Sequence, residues 1–250
     1  MRRVKDVKMF VNEKFRVILS DVNANLEMTN TAFLRYFQEI GNMHSEIAGV
    51  GVSDIDRTNL SWILISWKVS VIKRPKYGDE IKIKTWSLGV NKFFAFRDFE
   101  VKNQYDEVVA YGASKWSMVD VKKGKVVSIC KEITDIYTQE ETHVFEDDMI
   151  LDKLVEPKIE PISKCDFKIT RSLIDVNKHL NNVYYLDIAK EAISEEKAII
   201  NEFDNFEVMY KKEIRLGDVV KAIYYVDKDY HYVVIKDFNE ESLHSIIRFK

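Results

Sequence analysis

The sequence predicts an α+β chain in which two antiparallel sheets, each wrapped around one central helix, pack as a pseudo-dimer. Three observations point there. Only two segments carry apolar residues at helical spacing, most other patterned segments alternate like strands, and the two halves echo one another. The punctuation agrees. The chain has 8 Gly and 3 Pro in 250 residues, where average usage would give roughly 17 and 12. That count argues against a turn-dense sandwich and a glycine-rich nucleotide fold, and it suits long strands.

The first helix follows Thr29 and Asn30, with Phe33, Phe37, Ile40 and Ile47 at helical spacing and Tyr36 on the same side. Strands are expected at Trp62–Ile72, at Ile81-Lys82-Ile83-Lys84, at the phenylalanine-rich Lys92–Val101 and at Val108–Val121. Pro157 and Pro161 in LVEPKIEPISK, after the acidic stretch Glu140–Asp148, read as an extended connector. The expected division is therefore a first domain over 1–146, a linker over 147–165 and a second domain over 166–250. The second helix follows Asn181 and Asn182, with Tyr185, Ile188, Ala189 and Ala192 on one stripe. Phe206–Tyr210 and Tyr230–Phe238 read as strands. Ahead of each helix, a Thr or Asn oxygen can accept an unpaired amide of the first turn.

The echo is specific in two places. VSVIKRPKYGDEIKI from Val69 aligns with VMYKKEIRLGDVVKA from Val208 at an offset of 139 residues, and both enter a strand through a Gly-Asp turn. Upstream, Asp21-Val22-Asn23 echoes Asp175-Val176-Asn177, each a few residues before its helix. In that pairing Asn25 stands where the second half has His179, so chemistry is expected in the second half.

Composition narrows the function. With 46% hydrophobic and 32% charged residues the chain is no disordered segment. Its 38 Lys and Arg against 41 Asp and Glu leave a net charge of −3, which provides no global basic field for nucleic acid. Two cysteines, Cys130 and Cys165, are too few for a disulfide framework and suggest a reducing compartment. The start, MRRVKDVKMFVNEKF, lacks the apolar core of a signal peptide, and no run approaches the roughly 18 residues of a membrane helix. A cytoplasmic protein without membrane insertion is expected.

The densest reactive cluster is Asp175-Val176-Asn177-Lys178-His179, followed by Leu180-Asn181-Asn182. In an extended segment Asp175, Asn177 and His179 would share one face. A carboxylate, an amide and an imidazole would then sit before a helix N-terminus, whose unpaired amides suit a polarised carbonyl oxygen. Asp and Asn before a helix also serve as plain caps and turn formers, and a lone His is often structural.

DVNKHLNNVYYLDIAKEAI resembles the active-site segment of the acyl-acyl carrier protein thioesterases, which release fatty acids. In that family a D-x-N-x-H-x-N-N stretch opens the helix of the second of two hotdog domains. A Glu follows some 30–40 residues on. Here Tyr210-Lys211-Lys212-Glu213-Ile214-Arg215 looks like that Glu strand, with Glu213 placed 34 residues after His179. The resemblance covers most of the chain from about Phe15, including MTNTAFLRYFQEIGNMHSE. It implies a tandem double hotdog and catalytic roles for Asp175, Asn177, His179 and Glu213. Many relatives carry Cys directly after the Glu; this chain has Ile214 there. A thiolate cannot act at that position, so the resemblance implies direct attack by water, without a cofactor or metal.

An acyl chain needs an apolar slot. The resemblance places it in the first domain, where Phe93, Phe94, Phe96 and Phe99 accompany Trp62, Trp67 and Trp86. The implied partner is acyl carrier protein bearing a phosphopantetheine-linked acyl chain. Candidate docking cations are Lys73, Arg74 and Lys76, their repeat counterparts Lys211, Lys212 and Arg215, and Lys122, Lys123 and Lys125. Three other readings stay open at this point: an acyl-coenzyme A thioesterase, a hotdog dehydratase, and a non-catalytic acyl-binding module. Oligomeric state stays open too, with a homodimer as one option, because the duplication already supplies a hotdog pair within one chain.

Overall fold

A computed structural model describes residues 10–137, 141–146, 153–193 and 202–250. Its eleven strands are β1 (Phe10–Arg16), β2 (Leu60–Val71), β3 (Glu80–Asn91), β4 (Phe94–Asn103), β5 (Val108–Asp120), β6 (Lys125–Val127), β7 (Ser163–Lys168), β8 (Asn205–Tyr210), β9 (Val219–Asp227), β10 (Tyr230–Asp237) and β11 (Leu243–Phe249). The helices are α1 (Asn30–Ile47), α2 (Ile55–Thr58), α3 (Lys131–Thr134) and α4 (Tyr185–Ala192). The expected helices and strands are all present. Residues 147–152 of the expected linker, and parts of the acidic stretch before it, lie outside the described residues. The end of that linker is already strand, because β7 begins at Ser163.

The two expected sheets are joined edge to edge. Strand order is β1-β3-β4-β5-β2-β8-β11-β10-β9-β7, with β6 paired to β5, and every pairing is antiparallel. The seam is β2–β8, running from Ser66↔Met209 to Ser70↔Asn205. The order reads as the same five-strand unit twice, related by a two-fold. This is a tandem double hotdog, with α1 packed against one half of the sheet and α4 against the other. Phe33, Leu34, Phe37 and Ile40 of α1 and Leu186, Ile188 and Ala189 of α4 are buried in one apolar core. The inward stripes read from the sequence therefore face the sheet, as their spacing requires.

Hydrogen bonds also fix the register of the duplication, and they correct the upstream echo by two residues. In the first half Asn23 Oδ1 accepts the amides of Asn25 (2.9 Å) and Glu27 (3.1 Å). In the second, Asp175 Oδ1 accepts those of Asn177 (2.8 Å) and His179 (3.2 Å). Bridges Val22↔Met28 and Ile174↔Leu180 close the two turns, and Glu27↔Lys76 and His179↔Arg215 tie each to the following segment. Leu26 (φ 59°) and Lys178 (φ 65°) occupy the same left-handed corner. Asn23 is thus the counterpart of Asp175, Glu27 of His179 and Phe33 of Tyr185. The matching Asp-Val-Asn letters are displaced from the matching backbone. Asp21 has a structural task of its own: it is buried and accepts hydrogen bonds from Arg35 (2.7 Å), Tyr36 and the Ile18 amide (3.0 Å).

Candidate active site

Asp175 to Leu180 form a tight turn, not the extended segment expected from alternation. The Asp175 amide donates to the His179 carbonyl (2.8 Å) and the Lys178 amide to the Asp175 carbonyl (3.0 Å). Asp175 staples this turn through Oδ1, leaving Oδ2 without a partner among the described residues. Asn181 then caps the helical entry by accepting the Val183 amide (3.3 Å). Glu213 lies beyond the strand in which it was expected, since β8 ends at Tyr210. The Leu180 amide donates to the Ile214 carbonyl (2.8 Å), which draws the Glu213 segment alongside the turn.

The result brings all four candidates to one cleft. Asp175, Asn177, His179 and Glu213 line a cavity of about 650 Å³, within the range of small-molecule sites. Its opposite wall comes from the first half, including Asn42, Trp62 and Trp116. His179 Nε2 lies 3.6 Å from Glu213 Oε1, close enough for charge stabilisation and too long for a hydrogen bond. Arg215 donates to the same Glu213 oxygen at 2.8 Å. This hydrogen bond is the main reason the Glu213 carboxyl sits below the usual glutamate range; partial burial opposes it and the His179 charge assists. Glu213 is half exposed, and it therefore meets both solvent and cleft.

No cysteine lines the cleft among the described residues. Ile214 is wholly buried in the core, Cys130 is exposed and Cys165 is partly exposed. A Cys–His nucleophile has no thiol here.

The expected acyl slot is divided by the structure. Trp62 and Phe96 line a small inner hollow of about 40 Å³ that shares Asn42, Ser45, Trp62 and Trp116 with the main cleft. That volume admits a water or two, so a longer chain needs its side chains to swing aside. Trp67 and Phe99 are core, packed on Phe37 with ring centroids 5.9 and 4.6 Å away. Trp86 belongs to a separate cluster with Leu88, and Phe93 is partly exposed. Phe94 packs against the Trp86 cluster and Phe93 sits in the turn between β3 and β4; neither of these, nor Trp67, Phe99 or Trp86, lines either cavity.

The docking cations divide similarly. Lys211 and Lys212 line the cleft, and Lys73, Lys76, Lys122, Lys123 and Lys125 are exposed. Arg74 is not available: its side chain is 9% exposed, donates to the carbonyls of Met28 (2.9 Å) and Phe203 (2.7 Å), and pairs with Asp204. It occupies the first-half counterpart of Glu213 and pins the two halves together there. Arg215 is engaged with Glu213. Sequence reasoning did not single out Tyr185 and Tyr210, which also line the cleft. Tyr185 sat on the apolar helical stripe, and only its place three residues after the Asn pair hinted at more.

The family described as acyl-ACP thioesterase N-terminal domain matches residues 8–137, and the acyl-ACP thioesterase C-terminal domain matches 156–246. Among curated relatives, oleoyl-acyl carrier protein thioesterase 1 of Arabidopsis thaliana, a chloroplastic protein, is 27% identical over 227 residues, covering 84% of this chain. An acyl-[acyl-carrier-protein] hydrolase of Cuphea viscosissima is 24% identical over 90% of this chain. The chain spans 62% and 57% of the length of these two relatives. Among solved structures, an acyl-ACP thioesterase of Bacteroides thetaiotaomicron superimposes with a TM-score of 0.86 at 18% identity, covering 96% of this chain and 97% of that one. The 12:0-ACP thioesterase of Umbellularia californica gives 0.85 at 17% identity, covering 97% of each.

Proposed function

Because this chain belongs to the acyl-ACP thioesterase family, we propose that it hydrolyses acyl-carrier-protein thioesters to free fatty acid and carrier thiol. The observation that carries this reading is the convergence of Asp175, Asn177, His179 and Glu213 on one cleft that holds no thiol. Water is then the nucleophile. His179 takes a proton from it while the neighbouring Glu213 carboxylate stabilises the resulting imidazolium, a contribution typically of about 10²–10⁴-fold. Asp175 Oδ2 accepts the second hydrogen of the water and fixes its direction. The hydroxide oxygen bonds to the carbonyl carbon, the C–S bond breaks, and the imidazolium returns its proton to the departing thiolate. Asn177, exposed at the turn, orients the carbonyl. A thiolate leaves without strong acid help, so this set suffices.

Both halves of the chain contribute walls to the cleft. Lys211 and Lys212 at the cleft are suited to the phosphodiester of the carrier's prosthetic arm and to the acidic carrier itself. No helix among the described residues is long and apolar enough to cross a membrane, and both cysteines are free, as is usual in a reducing compartment. The test is free-thiol release from acyl-carrier-protein and acyl-coenzyme A substrates over a series of chain lengths. A higher kcat/KM for the carrier-protein thioester at equal length supports the proposal. Preference for coenzyme A would move the enzyme to the other thioester class, and release of no thiol would end the hydrolytic reading.

A further inference from the structure

Tyr185 opens α4 and is 2% exposed as a residue, yet it lines the cleft beside Asp175 and Glu213. Its ring stands edge-on to Tyr210, with centroids 5.1 Å apart and planes at 86°. The Tyr210 hydroxyl is used within the protein, donating to the Asn182 carbonyl at 2.8 Å. The Tyr185 hydroxyl makes no hydrogen bond to any described residue, although it is not sealed away: it opens on the cleft. Phe33, its counterpart under the internal duplication, packs a bare phenyl ring into the core of the first half. The ring alone therefore meets the packing need at this point of the fold. The hydroxyl is the addition, and it occurs in the half that carries Asp175 and His179.

From this placement we propose that the Tyr185 hydroxyl donates a hydrogen bond to the carbonyl oxygen of the bound thioester and to the oxyanion that develops from it. The inference rests on the hydrolytic reading above. An oxyanion forming near the carboxylates of Asp175 and Glu213 needs a donor, and those two acids can only accept. Burial, with the charges of Glu213 and Asp175 second, raises the Tyr185 pKa, so the phenol stays protonated across the neutral range. A fixed donor aimed at developing charge acts on the transition state more than on substrate binding.

The test compares wild type with Tyr185→Phe, which reproduces the side chain of Phe33 and should melt with the wild type. Removing one such donor costs about 10²-fold in kcat, so kcat should fall by at least about tenfold with KM nearly unchanged. Two non-hydrolysable ligands isolate the contact: a ketone that keeps the carbonyl and a thioether that lacks it. Tyr185→Phe should weaken the ketone about tenfold and leave the thioether unchanged; should the variant melt early, Tyr185→Leu read on the same ligand pair must give the same selective loss. Turnover and ketone affinity within twofold of wild type would overturn the assignment while the hydrolytic reading stood. Absence of thiol release by the wild type would remove that reading itself, and the assignment with it.

Discussion

Asp175 performs a backbone task and, in the proposed reaction, a chemical one. Its Oδ1 holds the turn, and in the first half Asn23 performs the same stapling with an amide oxygen. An amide is therefore enough for structure at this position, which leaves the negative charge to the proposed chemistry. Glu213 shows the complementary case, a carboxylate whose charge is secured by a neighbour. The Arg215 hydrogen bond favours its ionised form and lowers its pKa. Arg215→Gln removes that preference, so Glu213 becomes protonated at higher pH. The acid limb of the kcat/KM profile should then move upward in pH, and an unmoved limb would show that Glu213 ionisation does not control activity. The four side chains were legible in the sequence as residue types. Their geometry was not: the alternation rule presumes an extended backbone, and Lys178 at φ 65° turns the chain instead.

At the scale of elements, helix and sheet meet so closely that one position tolerates only glycine. A Cβ on Gly112 of β5 would overlap the Phe37 ring of α1. Gly112→Ala should destabilise the fold by about 1–3 kcal/mol through forced displacement of that ring, measured as a lower denaturant midpoint; an unchanged midpoint would mean the ring has room to retreat. The two helices and most of the apolar strands were readable because their burial repeats at 3.6 or 2 residues, although β11 was not picked out. The edge strands β1 and β7 escaped notice because only one face is covered and charged residues alternate along them, as in Ser163–Lys168. Turns were hidden for a different reason. Lys92, Asp106, Lys228 and Glu240 take positive φ at corners where glycine is usual. The scarcity of glycine thus reflects turns built from other residues as much as long strands.

At the scale of the molecule, the duplication explains why one chain holds both halves of its cleft. The β2–β8 seam fuses two hotdog sheets, and the first half supplies the wall facing the turn of the second. The two copies have diverged at the site. Asn23, Glu27 and Arg74 stand where the second half has Asp175, His179 and Glu213, and Arg74 fills its own position with a buried anchor to residues 203–204. That divergence supports a single reactive centre per chain, and it was legible only in part: the sequence showed two copies, while the backbone turns set their true register. The most direct measurement is thiol release from an acyl-carrier-protein thioester by wild type and Asp175→Asn, with melting temperature as control. The account predicts that the variant melts with the wild type and, with the water no longer directed, loses about 10²-fold in kcat/KM. Near-wild-type turnover by Asp175→Asn would contradict it.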